Sequence, residues 1–260
     1  MVLTGACGEN LTPAEGPDAS PATDCTVNRD GVMTADELPV QLGQAASVYV
    51  SDGPRAWDLN GTAVADTTRW DLSTELATDA RALVQALPAA DYWFAAEFPA
   101  GQFVIDDGAD LLPIYHQDAN GLWLHGSASR VESPANARTL VVYAQPIAVA
   151  RYPLTVGDAW TSTGEIAGAT IAGLPFVGSD EVRVEVVAAG RADLPYVRFS
   201  PVLLLRSVVA RVESSSGNRL TRRTASFLGE CVGEVAHAVS ADDEPDPRFT
   251  NAVVMRRFAL

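Results

Sequence analysis

The stretch LLPIYHQDANGLWLH, residues 111–125, decides how the rest of the chain is interpreted. Two runs rich in apolar, β-branched and aromatic residues flank Asn120-Gly121, a dipeptide favoured in two-residue hairpin turns. With that turn, His116 is expected directly opposite His125 on one face of the pair. The stretch therefore predicts an antiparallel β-hairpin.

Similar segments continue on both sides of this hairpin. Upstream and downstream lie YWFAAEF, GQFVID and TLVVYA, each bounded by Gly, Pro, Asp or Asn. Further along, DEVRVEVVAAG (180–190) alternates cleanly, and PVLLLRSVVARVES (201–214) is a longer apolar run. Long antiparallel strands with one polar face suggest a curved sheet or an open barrel. We predict a mostly β protein of antiparallel sheets. An N-terminal β-rich subdomain (25–150) is followed by a long-stranded meander (151–260), and the two form one cooperative unit.

The segment 71–88 is compatible with two structures. Leu72, Leu76, Ala80, Leu83 and Leu87 recur at helical spacing. A strand near 81–87 fits equally well, because abundant alanine raises the apparent helix propensity here. The sequence leaves this segment open.

Composition and charge exclude several classes of function. The chain has 260 residues and a formal net charge of −15, which argues against nucleic acid as a partner. Its basic residues are all arginine, so Schiff-base chemistry and a phosphate-loop lysine are excluded. No stretch reaches the roughly 18 apolar residues of a membrane span. We therefore expect contact with a membrane only through a lipid anchor.

The N-terminus, MVLTGACGEN, resembles the end of a lipoprotein signal peptide. In such proteins the cysteine after small residues becomes the lipidated first residue, which is Cys7 here. The match lacks a charged n-region and has Thr4 where Leu is usual; the alternative is an unstructured start with a chance cysteine. Residues 8–24 are rich in Pro, Ala and acids, which is typical of a flexible tether. We assign 1–24 to signal remnant and tether, and predict an extracytoplasmic protein at the cell surface or in the periplasm.

Three cysteines are an odd number. If Cys7 carries lipid, Cys25 and Cys231 remain to form a disulfide in an oxidising compartment. The alternative is two unrelated buried thiols.

Residues 26–37, TVNRDGVMTADE, resemble a calcium-binding loop. Asn28, Asp30, Thr34 and Glu37 fall at ligand positions, and Gly31 at the turn position. Thr26 stands where the first ligand is normally Asp, so any site is expected to be weak. The alternative is a glycine-centred turn. We predict either no cofactor or calcium at this loop.

Two further sets of residues are candidate sites. His116 and His125, if opposite each other, could share a zinc or copper ion, or simply be solvated near the hairpin tip. Tyr92, Trp93, Phe94 and Phe98 form either a binding patch for a ligand or partner, or ordinary core packing.

Three features are similar to those of uncharacterised secreted or surface β-rich lipoproteins of soil and predatory bacteria. They are YPLTVGDAWTST (152–163), the turn GRADLP (190–195) before LLLRSVV, and the Asn-Asp-Gly loop followed by Thr and Glu. The resemblance covers residues 25–260. It implies β architecture and export, with no known activity.

Motifs for nucleophilic or metal-dependent catalysis are absent: there is no G-x-S-x-G, H-E-x-x-H or G-x-G-x-x-G. We therefore expect a non-enzymatic lipoprotein with a binding or display role. What it contacts is an envelope or extracellular partner, a glycan or a hydrophobic ligand. One alternative is an extracytoplasmic hydrolase that uses scattered carboxylates, such as those at 106–110 and 242–246. Another is a structural subunit of an extracellular assembly, in which neighbouring subunits cap long edge strands.

Overall fold

The computed structural model describes residues 25–65 and 67–260, so Cys7 and the predicted tether lie outside the described residues. The chain is mostly β, with 60% strand and 3% helix. The strands are β1 (Ala45–Ala56), β2 (Thr62–Val64), β3 (Thr67–Asp71), β4 (Ala80–Pro88), β5 (Phe103–Asp106), β6 (Leu111–Asp118), β7 (Gly121–Ser129), β8 (Leu140–Arg151), β9 (Ala159–Ile171), β10 (Leu174–Leu194), β11 (Val197–Glu213), β12 (Arg219–Gly229), β13 (Gly233–Val239) and β14 (Asn251–Phe258). Two single-turn 3₁₀ helices, Ala89–Asp91 and Ala95–Glu97, lie between β4 and β5.

Twelve of these strands close into a barrel. Its order is β11-β12-β13-β14-β1-β4-β5-β6-β7-β8-β9-β10, and β10 pairs back to β11. All of these pairings are antiparallel. The predicted antiparallel β architecture is confirmed, but the expected curved sheet or open barrel is in fact a closed one. The single sheet takes strands from both predicted parts of the chain.

One side of the barrel interior is tightly packed. Val182, Val184 and Val186 on β10 share the inner face with Leu203 and Leu205 on β11. Ile147, Trp160 and Leu154 complete this buried cluster, together with Met33 and Leu38 from the N-terminal segment. Burying large apolar side chains contributes about 1.5–3 kcal/mol each, so this wall is a major source of stability.

A second core lies outside the barrel, where residues of the segment 57–72 cover the outer face of β11–β14. Trp70 and Leu72 pack there against outward residues such as Leu204, Phe227 and Met255. β3 reaches this position by pairing parallel to the end of β10, with Gly190 opposite Thr68. A Cβ on Gly190 would lie 2.0 Å from the Thr68 carbonyl oxygen, so the close approach of the two strands requires glycine.

The N-terminal segment 25–44 crosses one end of the barrel. Met33 forms an isolated bridge with Leu154, and Leu42 forms one with Ala86. The Cys231 amide donates to the Glu37 carbonyl at 2.7 Å. The predicted disulfide is confirmed: Cys25 and Cys231 are bonded, with their Cα atoms 5.6 Å apart. A covalent bond therefore holds this segment on the turn between β12 and β13.

The ambiguous segment 71–88 contains a strand, β4, over Ala80–Pro88. Its apolar residues do not form a helical stripe, because Leu72 is buried in the outer core while Leu83 is 61% exposed. Within the described residues, no helix combines the length and apolarity needed to cross a membrane.

Candidate functional site

The inner wall opposite the packed cluster is only partly buried. Cross-strand pairs place one continuous row of side chains on the inner face, running Val186, Leu205, Ser226, His237, Arg256, Val50 and Ala80. Val186 and Leu205 are buried, whereas Ser226, His237, Arg256 and Val50 are only partly so. Outward neighbours on the same strands, such as Ala225, Ala238 and Met255, are fully buried under the outer core. The barrel interior is therefore more tightly packed on one side than on the other.

Three polar side chains of this open wall form a hydrogen-bonded cluster. His237 Nδ1 lies 3.0 Å from Glu234 Oε2 and 2.9 Å from Ser226 Oγ. A β-bulge near Phe227 leaves Val235 unpaired on β13. Because of this extra residue, Glu234 and His237 face the same side although they are three positions apart. We call Ser226, Glu234 and His237 the inner polar cluster.

The pKa of Glu234 in this cluster is shifted by its neighbours. Burial raises its pKa most strongly, but His237, the Ser226 hydroxyl and Arg256 together hold the pKa below its ordinary value. The side chain nevertheless keeps 43% of its surface accessible.

Side chains from the opposite wall approach this cluster across the interior. Burial raises the pKa of Tyr115 on β6, and the carboxylates of Glu234 and Asp107 raise it further. In the sheet, β6 and β13 are separated by β14, β1, β4 and β5. Phe103 stacks on Tyr115 with ring centroids 5.8 Å apart. Asp107, from the turn after β5, forms an ion pair with Arg256 on β14.

A groove of about 590 Å³ opens where the N-terminal segment meets the barrel rim. Ala35, Pro39, Val40 and Leu42 line it on one side, and Phe103 and Gln117 on the other. This volume lies within the range of small-molecule sites, roughly 300–1,000 Å³. Phe103 belongs both to the groove and to the aromatic pair on the inner wall, so the two regions adjoin.

The two histidines predicted as a metal pair do lie together. His116 Nδ1 is 2.5 Å from His125 Nε2. Their predicted pairing is wrong, however: His116 pairs with Trp123, and a bulge leaves His125 without a cross-strand partner. Burial and the neighbouring His116 ring lower the pKa of His125. Among the described residues, no group of three or more His, Cys, Asp or Glu is placed to hold a metal. Zinc or copper at this pair stays a prediction.

The calcium-loop residues make local hydrogen bonds. Asn28 Oδ1 accepts from the Asp30 amide, and Asp30 Oδ1 accepts from the Val32 amide. Glu37 Oε2 accepts from both the amide and the hydroxyl of Thr34, each at 2.9 Å. The arrangement matches the alternative of a glycine-centred turn, and calcium binding stays a prediction.

The aromatic set near residue 95 packs on the outer face of the barrel. Phe94 and Phe98 are buried against Val104, Ile114 and other residues of a small core. The remaining two, Tyr92 and Trp93, are half-buried; the Trp93 indole donates to the Ser129 carbonyl at 2.9 Å. This placement favours the alternative of core packing.

Several acidic side chains in the turns that suggested the hydrolase alternative are engaged in ion pairs or hydrogen bonds. Asp106 is held by Arg130, and Asp242 accepts two hydrogen bonds from Arg222. Asp246 accepts from the Arg248 amide in a turn. Sequence reasoning singled out these acids and missed Glu234, whose position on the inner wall depends on the β13 bulge.

Comparison with protein-family models, with curated proteins and with solved structures gave no match in any of the three. The assignment therefore rests on the barrel and its inner wall.

Proposed function

We propose that this protein is a non-enzymatic lipoprotein of the cell envelope that binds a small, mainly apolar ligand. The ligand site lies at the end of the barrel that residues 25–44 cross. The observation that carries the proposal is the groove of about 590 Å³ next to an accessible inner wall. Apolar side chains that remain accessible around a cavity gain free energy when a ligand covers them, at about 25 cal/mol per Å².

Export is part of the proposal, and the disulfide supports it. Disulfides persist in oxidising compartments and are rare in the cytosol. Cys25 and Cys231 are bonded, which leaves Cys7 as the remaining cysteine for a lipid anchor. The sequence resemblance to surface lipoproteins points in the same direction. In this proposal the barrel binds the ligand, and the lipid anchor at Cys7 keeps the barrel at the cell envelope.

A fluorescent apolar probe, N-phenyl-1-naphthylamine, tests binding in the groove. We expect its emission to increase on titration with the protein, and Leu42→Arg to weaken this binding several-fold because a charge enters the apolar lining. Val156→Arg is the matched control: Leu42 and Val156 are 53% and 50% exposed, but only Leu42 lines the groove. Equal binding by both variants, or no binding by the wild type, would remove the basis of the proposal.

A further inference from the structure

Three arginines converge on one buried aspartate where β3, β10 and β11 meet. Strand pairing brings them together: Arg69 on β3 lies opposite Arg191 on β10, and Arg198 on β11 lies opposite Asp193. Asp193 Oδ2 accepts a hydrogen bond from Arg69 Nε at 2.6 Å, and its Oδ1 accepts one from Arg198 Nε at 2.8 Å. Arg191 Nη2 donates to the same carboxylate at 3.3 Å.

This aspartate cannot satisfy all the donors around it. Burial raises the pKa of Asp193, but hydrogen bonds from Arg69 and Arg198 and the charge of Arg191 hold the pKa below its ordinary value, so the carboxylate stays ionised. A carboxylate offers roughly four acceptor sites, whereas three guanidinium groups present about fifteen N–H donors. Among the described residues, Asp193 is the one acceptor for the Arg198 side chain, so its two Nη groups have no protein acceptor.

A cavity of about 330 Å³ lies against these donors. Arg69, Arg198 and Asp193 line it, together with Ser73 and Tyr196. The Arg198 side chain is 62% exposed and that of Arg69 is 41% exposed, while that of Asp193 is 9% exposed. A molecule in the cavity would therefore meet the guanidinium groups and not the carboxylate beneath them.

Two further acids lie at the margin of this cavity. Asp71 Oδ1 accepts from the Ser73 hydroxyl, and Glu75 Oε2 accepts from the Tyr196 hydroxyl, each at 2.6 Å. Within the described part of the chain, neither acid accepts a hydrogen bond from Arg198. The net charge of −15 belongs to the whole chain, and exposed charges more than about 8–10 Å away are largely screened at physiological ionic strength. Arg198 is therefore the cation that a ligand would meet first.

We propose that this cavity binds an oxyanion group, a carboxylate or a phosphate, through Arg198 and Arg69. The planar guanidinium fork matches both groups and forms charge-assisted hydrogen bonds with them. Asp193 holds the Nε edges of the two arginines and leaves their Nη groups for the ligand. The inference goes beyond the proposed function, because the cavity shares no lining residue with the apolar groove.

Isothermal calorimetry at low ionic strength with inorganic phosphate, acetate and acetamide tests this inference. We expect at least one of the two anions to bind and the neutral acetamide not to bind; the tighter anion identifies the group that the site prefers. Arg198→Gln should weaken anion binding at least about tenfold, because a charge-assisted hydrogen bond is lost. Its Tm should stay near that of the wild type, since an exposed ion pair contributes little to stability.

Arg222→Gln is the matched control. Arg222 is 55% exposed and pairs with a single aspartate, Asp242, but it does not line the cavity. This variant should leave anion binding unchanged. If neither anion binds, if acetamide binds as tightly as acetate, or if Arg198→Gln and Arg222→Gln weaken binding equally, the inference is wrong and the arginine cluster is purely structural. None of these results would affect the apolar groove.

Discussion

Arg257 Nη2 lies 2.5 Å from Asp79 Oδ2, and the two side chains are 0% and 5% exposed. The same guanidinium donates to the Leu72 and Thr74 carbonyls and lies over the Trp57 ring, 4.6 Å from its centroid. Arg257 therefore holds the loop before β4 against the outer wall of the barrel.

Removal of Asp79 should strongly destabilise the fold, because Arg257 would remain buried without a counter-charge. We expect Asp79→Ala to lower the free energy of unfolding by about 3–5 kcal/mol, measured by urea denaturation. Asp242→Ala breaks an exposed ion pair with Arg222 and should have a much smaller effect. Similar losses in the two variants would contradict this role for Arg257.

Acid should weaken the pair between Asp106 and Arg130. Hydrogen bonds from Arg130 hold the pKa of Asp106 below its ordinary value of 3.8. The unfolded chain then binds this proton more readily than the folded one, so the stability from the pair is complete above about pH 4 and is lost as the pH falls through the folded-state pKa. Asp106→Asn should show a shallower fall in Tm between roughly pH 5 and 2. Asp110→Asn, in the same turn, is the control and should keep the wild-type slope.

The Cys25–Cys231 bond should stabilise the whole barrel. It joins residues 206 positions apart, and loss of a native disulfide commonly costs roughly 2–5 kcal/mol. We expect Cys231→Ser to lower Tm in a single transition, followed by circular dichroism, while Cys7→Ser leaves Tm unchanged. Two separate transitions in the variant would show that 25–150 and 151–260 unfold independently.

Lipidation at Cys7 is a direct prediction of the sequence. Mass spectrometry of the full-length protein purified from its native membrane should show a diacylglyceryl group on that cysteine. Cys7→Ala should release the protein from the membrane fraction. Finding the mature N-terminus elsewhere, with Cys7 unmodified, would contradict the prediction.

The hairpin at 111–125 shows what local sequence can and cannot predict. The two strands are present, but Asp118 pairs with Gly121, so the turn residues are Ala119 and Asn120. Asp118 Oδ1 accepts from the Asn120 and Gly121 amides and fixes this register. Gly121 serves a different purpose: a Cβ there would lie 2.5 Å from the Ala150 carbonyl oxygen on β8. Such a close approach depends on a neighbouring strand that the hairpin sequence does not reveal.

Closure of the barrel and the inner site were beyond prediction for the same physical reason. β1 pairs with β14, and those strands lie at opposite ends of the described chain, where no local signal joins them. Strict alternation would place Glu234 and His237 on opposite faces, and only the bulge opposite Phe227 brings them together. By contrast, Met33 and Leu38 are apolar residues in a largely polar segment, a signal that could have indicated the contact across the barrel end.

Barrel closure also restricts how this protein can associate with copies of itself. Pilus-type fibres grow when one subunit donates a strand to the open sheet edge of the next, which requires long unpaired backbone. In the described part of the chain, β2 (Thr62–Val64) ends the strand order, and the long strands β10 and β11 each pair on both sides. β9 pairs along β10 and, on its other side, with β8 at Thr170 and Leu140. A three-residue edge offers few hydrogen bonds for templated growth. Strand exchange between copies of the described barrel is therefore disfavoured, and association through side-chain surfaces would leave each barrel intact.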